Sequence, residues 1–415
     1  MADPVSLKLY LAAGHILRPL VDRHLVRRVA RGKEDPTRVS EKRGIASLPR
    51  PDRPIIWCHA VGVGEAISLI GFATLLSEAQ ANCSILVTTS SRNAAAVLDK
   101  QNDGSFIHQF LPVDVPPYVS RFLDYWQPSL AIWAERDVWP RLLKETHDRG
   151  IPQAIVNGRM TEESFRQKLR LRRFFGACYE RLAFISAQDV ASEERFARLA
   201  PMTNVTADLS LKSYGPPLID HPDERANWAS FFDGGSPWLA ASIHPEEFDA
   251  VLETHSQIKP NWVLIAAPRN PKDAPVLERA ICARGWSSRR TSDGPGVKAD
   301  ILIEDRLGYL GVWYRLAHWA FIGGSWDRTG GHNPYEPARL GCPFFHGPNV
   351  SNFVSDYAGF AELGFSLEVQ NADDLASCIH STDLQHIGKA VQDFADHGET
   401  QLRALAERCV SLIRT

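Results

Sequence analysis

The sequence predicts an α/β chain made of two Rossmann-like parallel-sheet domains. Its 415 residues exceed what one core usually organises, so two domains of roughly 200 residues are expected. Short apolar runs alternate with longer helical patterns along almost the whole chain, as they do where crossover helices join parallel strands. Many of those runs end in glycine, hydroxyl or acidic residues, and open sheets bind ligands at the carboxyl ends of their strands. An apolar content of 44% with 23% charged residues is that of a globular protein, and a net charge of −3 argues against a nucleic-acid binder. The seven cysteines (Cys58, Cys83, Cys178, Cys282, Cys342, Cys378 and Cys409) are scattered, odd in number and without CxxC spacing. That pattern fits a reducing compartment and gives no zinc site.

Residues 1–31 read as an N-terminal amphipathic helix, apolar at Leu7, Leu11, Ile16, Leu20 and Leu25 and basic at Lys8, Arg18, Arg23, Arg27 and Arg28. Its longest uncharged run, Leu9 to Leu17, is too short to span a bilayer, and no small-residue cleavage site marks a signal peptide. Such a helix lies either on an anionic membrane surface or on the protein's own core. A polar segment with Glu34, Asp35 and Glu41 follows. The first domain, residues 32–213, then takes strands beginning at Ile55, Ile85, Leu130, Ala154 and Leu182. His59 ends the first of these, as a cleft ligand or a core histidine. Val61-Gly62-Val63-Gly64-Glu65 makes the βα turn after it. A lone GxG with no acidic residue ending a second strand at the right distance sets a dehydrogenase aside. Glu135 closes the strand at 130–134, where a nearby carboxylate would raise its pKa. Arg159 would supply fixed charge for an acidic sugar or a lipid phosphate, or form a surface ion pair. Gly and Pro in Tyr214-Gly215-Pro216-Pro217 punctuate the chain, and the second domain, residues 214–415, restarts the alternation at Trp238, Trp262, Ile301 and Ala320.

The stretch that organises the chain is Gly330-Gly331-His332-Asn333-Pro334-Tyr335-Glu336-Pro337, after the strand Ala320-Phe321-Ile322. The glycines would let backbone approach a ligand closely. Asn333 would cap a helix with Pro334 at its first position, aiming N–H groups at a phosphate, and Glu336 would accept two ribose hydroxyls.

This stretch resembles the nucleotide-binding motif of the Kdo transferases, bacterial enzymes that move 3-deoxy-manno-octulosonic acid from CMP-Kdo onto lipid A precursor. The resemblance runs over roughly residues 20–370. It takes in Glu135, Trp139 and Pro140, the run Ala154 to Ser164, Ile243-His244-Pro245-Glu246-Glu247, Pro268-Arg269-Asn270, Gly308-Tyr309-Leu310 and Gly347-Pro348-Asn349. It implies a GT-B fold whose two domains face a central cleft, with the N-terminal segment on the cytoplasmic face of the inner membrane. It implies Glu41 as general base (Glu34 as the fallback), with Glu135 and Lys212 also catalytic. Arg269, Asn270, Gly308, Tyr309, Leu310, Asn333, Pro334, Tyr335 and Glu336 would bind the nucleotide, and His59 and Arg159 the acceptor. No cofactor is implied beyond the donor CMP-Kdo; the partners are that donor, the lipid acceptor and the membrane, without nucleic acid.

No Asp-x-Asp occurs in the chain, so no dedicated metal site is expected. Arg269, Lys212 and the helix near Asn333 would neutralise the departing CMP phosphate, and attack by the activated hydroxyl would invert the anomeric carbon. Gly62, Arg136, Asn270 and Tyr309 stand where the family has Ser, Ser, His and Glu. A paralogue with another nucleotide sugar or acceptor, or a non-catalytic lipid- or sugar-binding relative, is therefore the alternative.

Overall fold

A computed structural model describes residues 3–102, 104–134, 138–208, 210–211, 218–232, 235–259, 262–381 and 384–413. The chain forms two units, residues 1–215 with 399–415, and residues 216–398.

The first unit opens with α1 (Val5–Ala30) and a short 3-10 turn at Glu41–Arg43. It then alternates β1 (Ile55–Ala60), α2 (Val63–Ala79), β2 (Ser84–Thr89), α3 (Arg92–Gln101), β3 (Phe106–Phe110), α4 (Tyr118–Trp126), β4 (Leu130–Ala134) and α5 (Pro140–Asp148). β5 (Gln153–Gly158), α6 (Glu162–Leu169), α7 (Arg172–Tyr179), β6 (Phe184–Ala187), α8 (Val190–Leu199) and β7 (Asn204–Ala207) complete it. The strands form one parallel sheet in the order β3-β2-β1-β4-β5-β6-β7, which reverses direction between β1 and β4.

Both faces of the middle of this sheet are covered, so β1, β4 and β5 are buried along their whole length rather than on alternate residues. In β1, Ile56, Cys58 and Ala60 point into one core with α2 and α3, while Ile55 and Trp57 point into the other with α1, α4 and α5. The first core is completed from the far end of the chain: Leu402, Leu405, Ala406 and Cys409 are buried in it. The expectation that the second domain runs to residue 415 is thus corrected, because 399–415 pack with the first unit. The apolar face of that last helix has its complement on the first sheet, a pairing that sequence order hides.

The second unit holds α9 (Pro222–Phe231), β8 (Ser236–Ile243), α10 (Phe248–Ile258), β9 (Trp262–Pro268), α11 (Ala274–Ala283), β10 (Ser288–Arg290), β11 (Ile301–Ile303) and α12 (Leu310–Leu316). β12 (Ala320–Ile322), α13 (Tyr335–Ala338), β13 (Phe344–His346), α14 (Val354–Glu362), β14 (Ser366–Glu368) and α15 (Ala372–Ser381) follow, and α16 (Leu384–Val410) carries the chain back. Its parallel sheet runs β10-β11-β9-β8-β12-β13-β14 and reverses between β8 and β12. Trp238 and Ala240 face one core, Leu239 and Ala241 the other. In each unit the reversal leaves a crevice at the carboxyl ends of two neighbouring strands, the place where doubly wound sheets take ligands.

Candidate active site

In the first unit the reversal sets the exit of β1 beside that of β4. His59 lies there, 2% exposed. Its Nδ1 is 3.0 Å from the Thr88 carbonyl and 2.9 Å from Thr88 Oγ1. A carbonyl only accepts, so Nδ1 carries the proton and Nε2 is a bare acceptor. Burial holds the imidazole down to about 3, so it stays neutral. His59 Nε2 and Trp139 Nε1 are both buried, with no partner among the described residues, on rings 6.3 Å apart. A bare acceptor and an unused donor on neighbouring rings are polar atoms that this exit leaves to be satisfied. Arg159, past the end of β5, is exposed.

Glu41 is not available in the way a base requires. It is fully buried. Its carboxylate accepts from Arg38 Nε (2.9 Å) and Nη2 (3.1 Å), Ser47 Oγ (2.5 Å) and the Phe110 N–H (2.7 Å). Glu34 is equally engaged, with Arg28 Nε at 2.6 Å and Lys42 Nζ at 2.9 Å. The better placed carboxylate is Glu65, which sequence reasoning passed over. It stands in the first turn of α2, half-buried, where Oε2 accepts from the Val61 N–H (2.8 Å) and the Gly62 N–H (3.0 Å). Oε1 has no protein partner among the described residues. A glutamate three residues beyond a glycine at a strand exit was the available signal. Glu135, Arg136 and Lys212 lie outside the described residues.

In the second unit a buried carboxylate builds the site. Glu247, 1% exposed, accepts from the N–H groups of His244 (3.0 Å), Gly324 (2.8 Å), Ser325 (3.1 Å) and Trp326 (3.0 Å). It ties the exit of β8 to the loop after β12, across the reversal. Burial raises its pKa while those N–H groups lower it. The tie brings His244 onto His332, rings stacked 5.3 Å apart with Nε2 to Nε2 at 3.1 Å. One nitrogen must donate and the other accept. His332 is held down to about 4, first by burial and then by Arg269 and His244. Arg269, exposed at the end of β9, thus acts on His332, and also on Glu336, whose pKa burial raises and Arg269 and Arg339 lower. The structure therefore gathers Arg269, Glu336 and two histidines that the sequence reading left off its site. Both histidines follow strand exits, which was the signal for them.

Other expected nucleotide residues do structural work. Asn333 Oδ1 accepts from the Tyr335 N–H at 3.1 Å, as a cap should, but the helix it starts is the single turn α13, which carries little dipole. Pro334 is buried, and Tyr335 is buried with its ring 5.1 Å from Phe360. Gly330 has φ +97, and a Cβ there would fall 2.4 Å from Ser351 Oγ, so this glycine answers to its own chain rather than to a ligand. Asn270 is exposed and accepts from the Lys272 N–H at 3.1 Å. Gly308 is exposed at φ +91 and leads into α12, which begins at Leu310. Tyr309 is stacked on His221 at 4.4 Å with the Arg306 guanidinium over it at 3.7 Å. Two groups that close cannot share one face, so neither face is open to a base. His244, Glu246 and Asp327 bring ligand atoms within 4.8 Å of one another, the one grouping among the described residues that could hold a metal ion.

Two Rossmann-like units, each a parallel sheet with charged side chains at its strand exits, have the architecture of the GT-B fold. The same fold occurs in a glycosyltransferase from Rickettsia africae ESF-5, with a TM-score of 0.56, 11% identity and coverage of 88% of this chain and 100% of that one. UDP-GlcNAc 2-epimerase from Neisseria meningitidis shares it too, with a TM-score of 0.53, 12% identity and coverage of 86% and 99%. Residues 37–213 match the family described as 3-deoxy-D-manno-octulosonic-acid transferase (kdotransferase). The 3-deoxy-D-manno-octulosonic acid transferase of Haemophilus influenzae is 28% identical over 341 residues, 80% of this chain and 79% of its own. That of Rickettsia bellii is 26% identical over 90% of each chain, and a probable mitochondrial one from Arabidopsis thaliana is 29% identical over 89% and 87%. The chain is thus similar to Kdo transferases in its first unit and, through these relatives, along most of its length.

Proposed function

We propose that this glycosyltransferase moves Kdo from CMP-Kdo to a lipid A precursor in lipopolysaccharide synthesis. The observation that carries the reading is family likeness along most of the chain, from the domain at 37–213 through the second unit. Arg269 would balance the donor phosphate and Glu336 would bind hydroxyls of the nucleotide, the two being near enough to influence each other. The stacked pair His244 and His332 would present a polar edge toward the donor, with Glu247 holding the His244 backbone in place. His59 and Trp139 would orient an acceptor hydroxyl. Glu65, in place of Glu41, would take its proton: two backbone N–H groups hold one oxygen and leave the other to the substrate. Lys212 and Glu135 remain proposed for the leaving phosphate and for tuning the base.

The membrane part of the proposal rests on α1. Its inner side is fastened to the first unit by buried Leu7 and Leu25 and by Tyr10 Oη donating to Asp114 at 2.8 Å. Val5, Leu9, Ile16 and Leu20, spaced four, seven and four residues, are all exposed. That spacing places them on one helix side, an apolar stripe with Arg18 and Arg23 nearby, suited to lying at a bilayer surface. No helix of the described residues is long and apolar enough to cross a membrane. Incubation with CMP-Kdo and lipid A precursor, read by mass spectrometry, tests the whole. A product heavier by one or more Kdo units is expected; no product, with transfer from another nucleotide sugar, would overturn the donor assignment.

A further inference from the structure

Glu34 and Glu41 raise a question that the transfer chemistry does not use. Two nearly inaccessible carboxylates are placed in a surface segment, and each holds an arginine. Arg28 gives its Nε to Glu34, and Arg38 gives Nε and Nη2 to Glu41. Beyond these arginines lies a pocket of about 500 Å³, where the segment after α1 meets the first turn of α3. Arg28, Lys33, Arg38 and Arg92 line it, against Asp35 and Asp99. Asp35 is turned away into its own loop, accepting from Thr37 N–H (2.8 Å) and Oγ1 (2.7 Å). Asp99 is more than half exposed and 3.9 Å from Arg38 Nη1. Glu34 holds Arg28 through Nε, and Glu41 with the His108 carbonyl (3.1 Å) holds Arg38 through Nε and Nη2, so that Arg38 Nη1 and the outer N–H groups of Arg28 can serve a guest without a new loss of side-chain freedom. Arg92 is braced similarly, Nη1 donating to the Gly32 carbonyl at 2.6 Å. Beneath them Phe110 makes an apolar wall, with the Arg38 guanidinium 4.8 Å above its ring.

We propose that this pocket is a phosphate site, and that Glu34 and Glu41 are positioning residues for Arg28 and Arg38. Cations approaching from several sides of one cavity suit a tetrahedral dianion, whereas a planar carboxylate is satisfied by a single guanidinium edge. The volume exceeds that of a phosphate alone, so the group arrives attached to a larger body such as a sugar. The pocket also adjoins the loop that carries Glu65, since Ser91, which caps α3, reaches the Val61 carbonyl with Oγ at 3.5 Å. The guest is then a phosphate carried by the acceptor, an assignment that rests on the transferase reading above.

Calorimetry with glucose 1-phosphate, and with glucose as control, tests the site on the full chain. The wild type is expected to bind the phosphate ester and not glucose. K33Q/R92Q, which alters two exposed side chains, is expected to bind the ester at least tenfold more weakly. Equal binding by both proteins, or binding of glucose as tight as of its phosphate, would overturn the site. Displacement of glucose 1-phosphate by phosphatidylglycerol vesicles would overturn the acceptor as its source and assign the pocket to a membrane headgroup. In transfer assays K33Q/R92Q should raise the acceptor KM more than it lowers kcat. E41Q should do the same and E41D should recover part of it; a pure kcat loss in E41Q would overturn the positioning role. Transfer from CMP-Kdo with an unchanged acceptor KM in K33Q/R92Q would sink the pocket alone. Binding of the ester without any transfer would sink the transferase reading alone.

Discussion

Among single residues, environment separates two glutamates that look alike in the sequence. Glu41 has every lone pair directed at a donor and no exposure to solvent, whereas Glu65 keeps one oxygen without a partner among the described residues, at a strand exit. E65Q should therefore lower transfer by roughly 10²–10⁴-fold with the Tm unchanged, the range expected for loss of a general base. E41Q should, besides its effect on acceptor KM, cost stability by about 1.5–3 kcal/mol for its charged hydrogen bonds, read by urea unfolding. Full activity in E65Q would return the base to the segment before β1. Arg269 is separable from both. Its guanidinium is exposed and acts on His332 and Glu336 together. R269A should weaken CMP binding roughly ten- to a hundredfold and flatten its salt dependence, whereas E336A should weaken it with the salt slope intact. Calorimetry at two ionic strengths distinguishes them.

At the level of elements, α1 is both part of the first core and a surface device. Gly14 packs closely on Pro116 and Arg141, and Asp22 accepts from Tyr118 Oη at 2.6 Å. Removing the helix would strip the first unit, so a point change is the cleaner probe. I16E/L20E should leave the unfolding free energy within about 1 kcal/mol of wild type, because both side chains face solvent, and should release the protein from anionic vesicles at low salt. Sedimentation unchanged from wild type would show that another surface binds. The β1–α2 turn gives a second case. Gly62 has φ −98, and a Cβ there would approach nothing nearer than Glu65 at 3.8 Å. G62S should then fold normally and add the hydroxyl that the family carries. A Tm shift of several degrees would show that the turn is tighter than its geometry indicates.

Over the whole molecule, buried neutral histidines set the acid limit. His59 is held down to about 3 and His108 and His255 to about 4, each chiefly by burial, against an ordinary value of 6.5. The unfolded chain protonates them below 6.5 and the folded chain does not. Their contribution is therefore complete above pH 6.5 and is lost as pH falls toward about 3–4, by up to about 1.4 kcal/mol per pH unit for each group. The buried carboxyls Asp114 and Glu247, raised by desolvation, run the other way and soften the slope. H255Q, at a ring packed against Trp238 and Trp286, should flatten the acid limb of stability against pH in urea titrations. An unaltered slope between pH 6.5 and 4 would contradict this account.

Period, punctuation and motif were enough to read two parallel-sheet domains and the position of most strands, because a strand covered on both faces must be apolar throughout. Arg269 and His59 were singled out for a local reason: one follows the end of β9 and the other stands near the end of β1. Which carboxylate is free was not legible. Glu41 and Glu65 differ only in what other segments bring to them, Ser47 and the Phe110 backbone in one case and a single turn in the other. Tyr309 offered an open ring in the sequence and lost both faces to His221 and Arg306. The return of 399–415 to the first unit was equally hidden, since a helix records that one side is apolar but not which sheet covers it. Local pattern determined the elements and their exits; long-range packing decided which polar atoms remained available for chemistry, because availability is whatever burial and hydrogen bonding leave over.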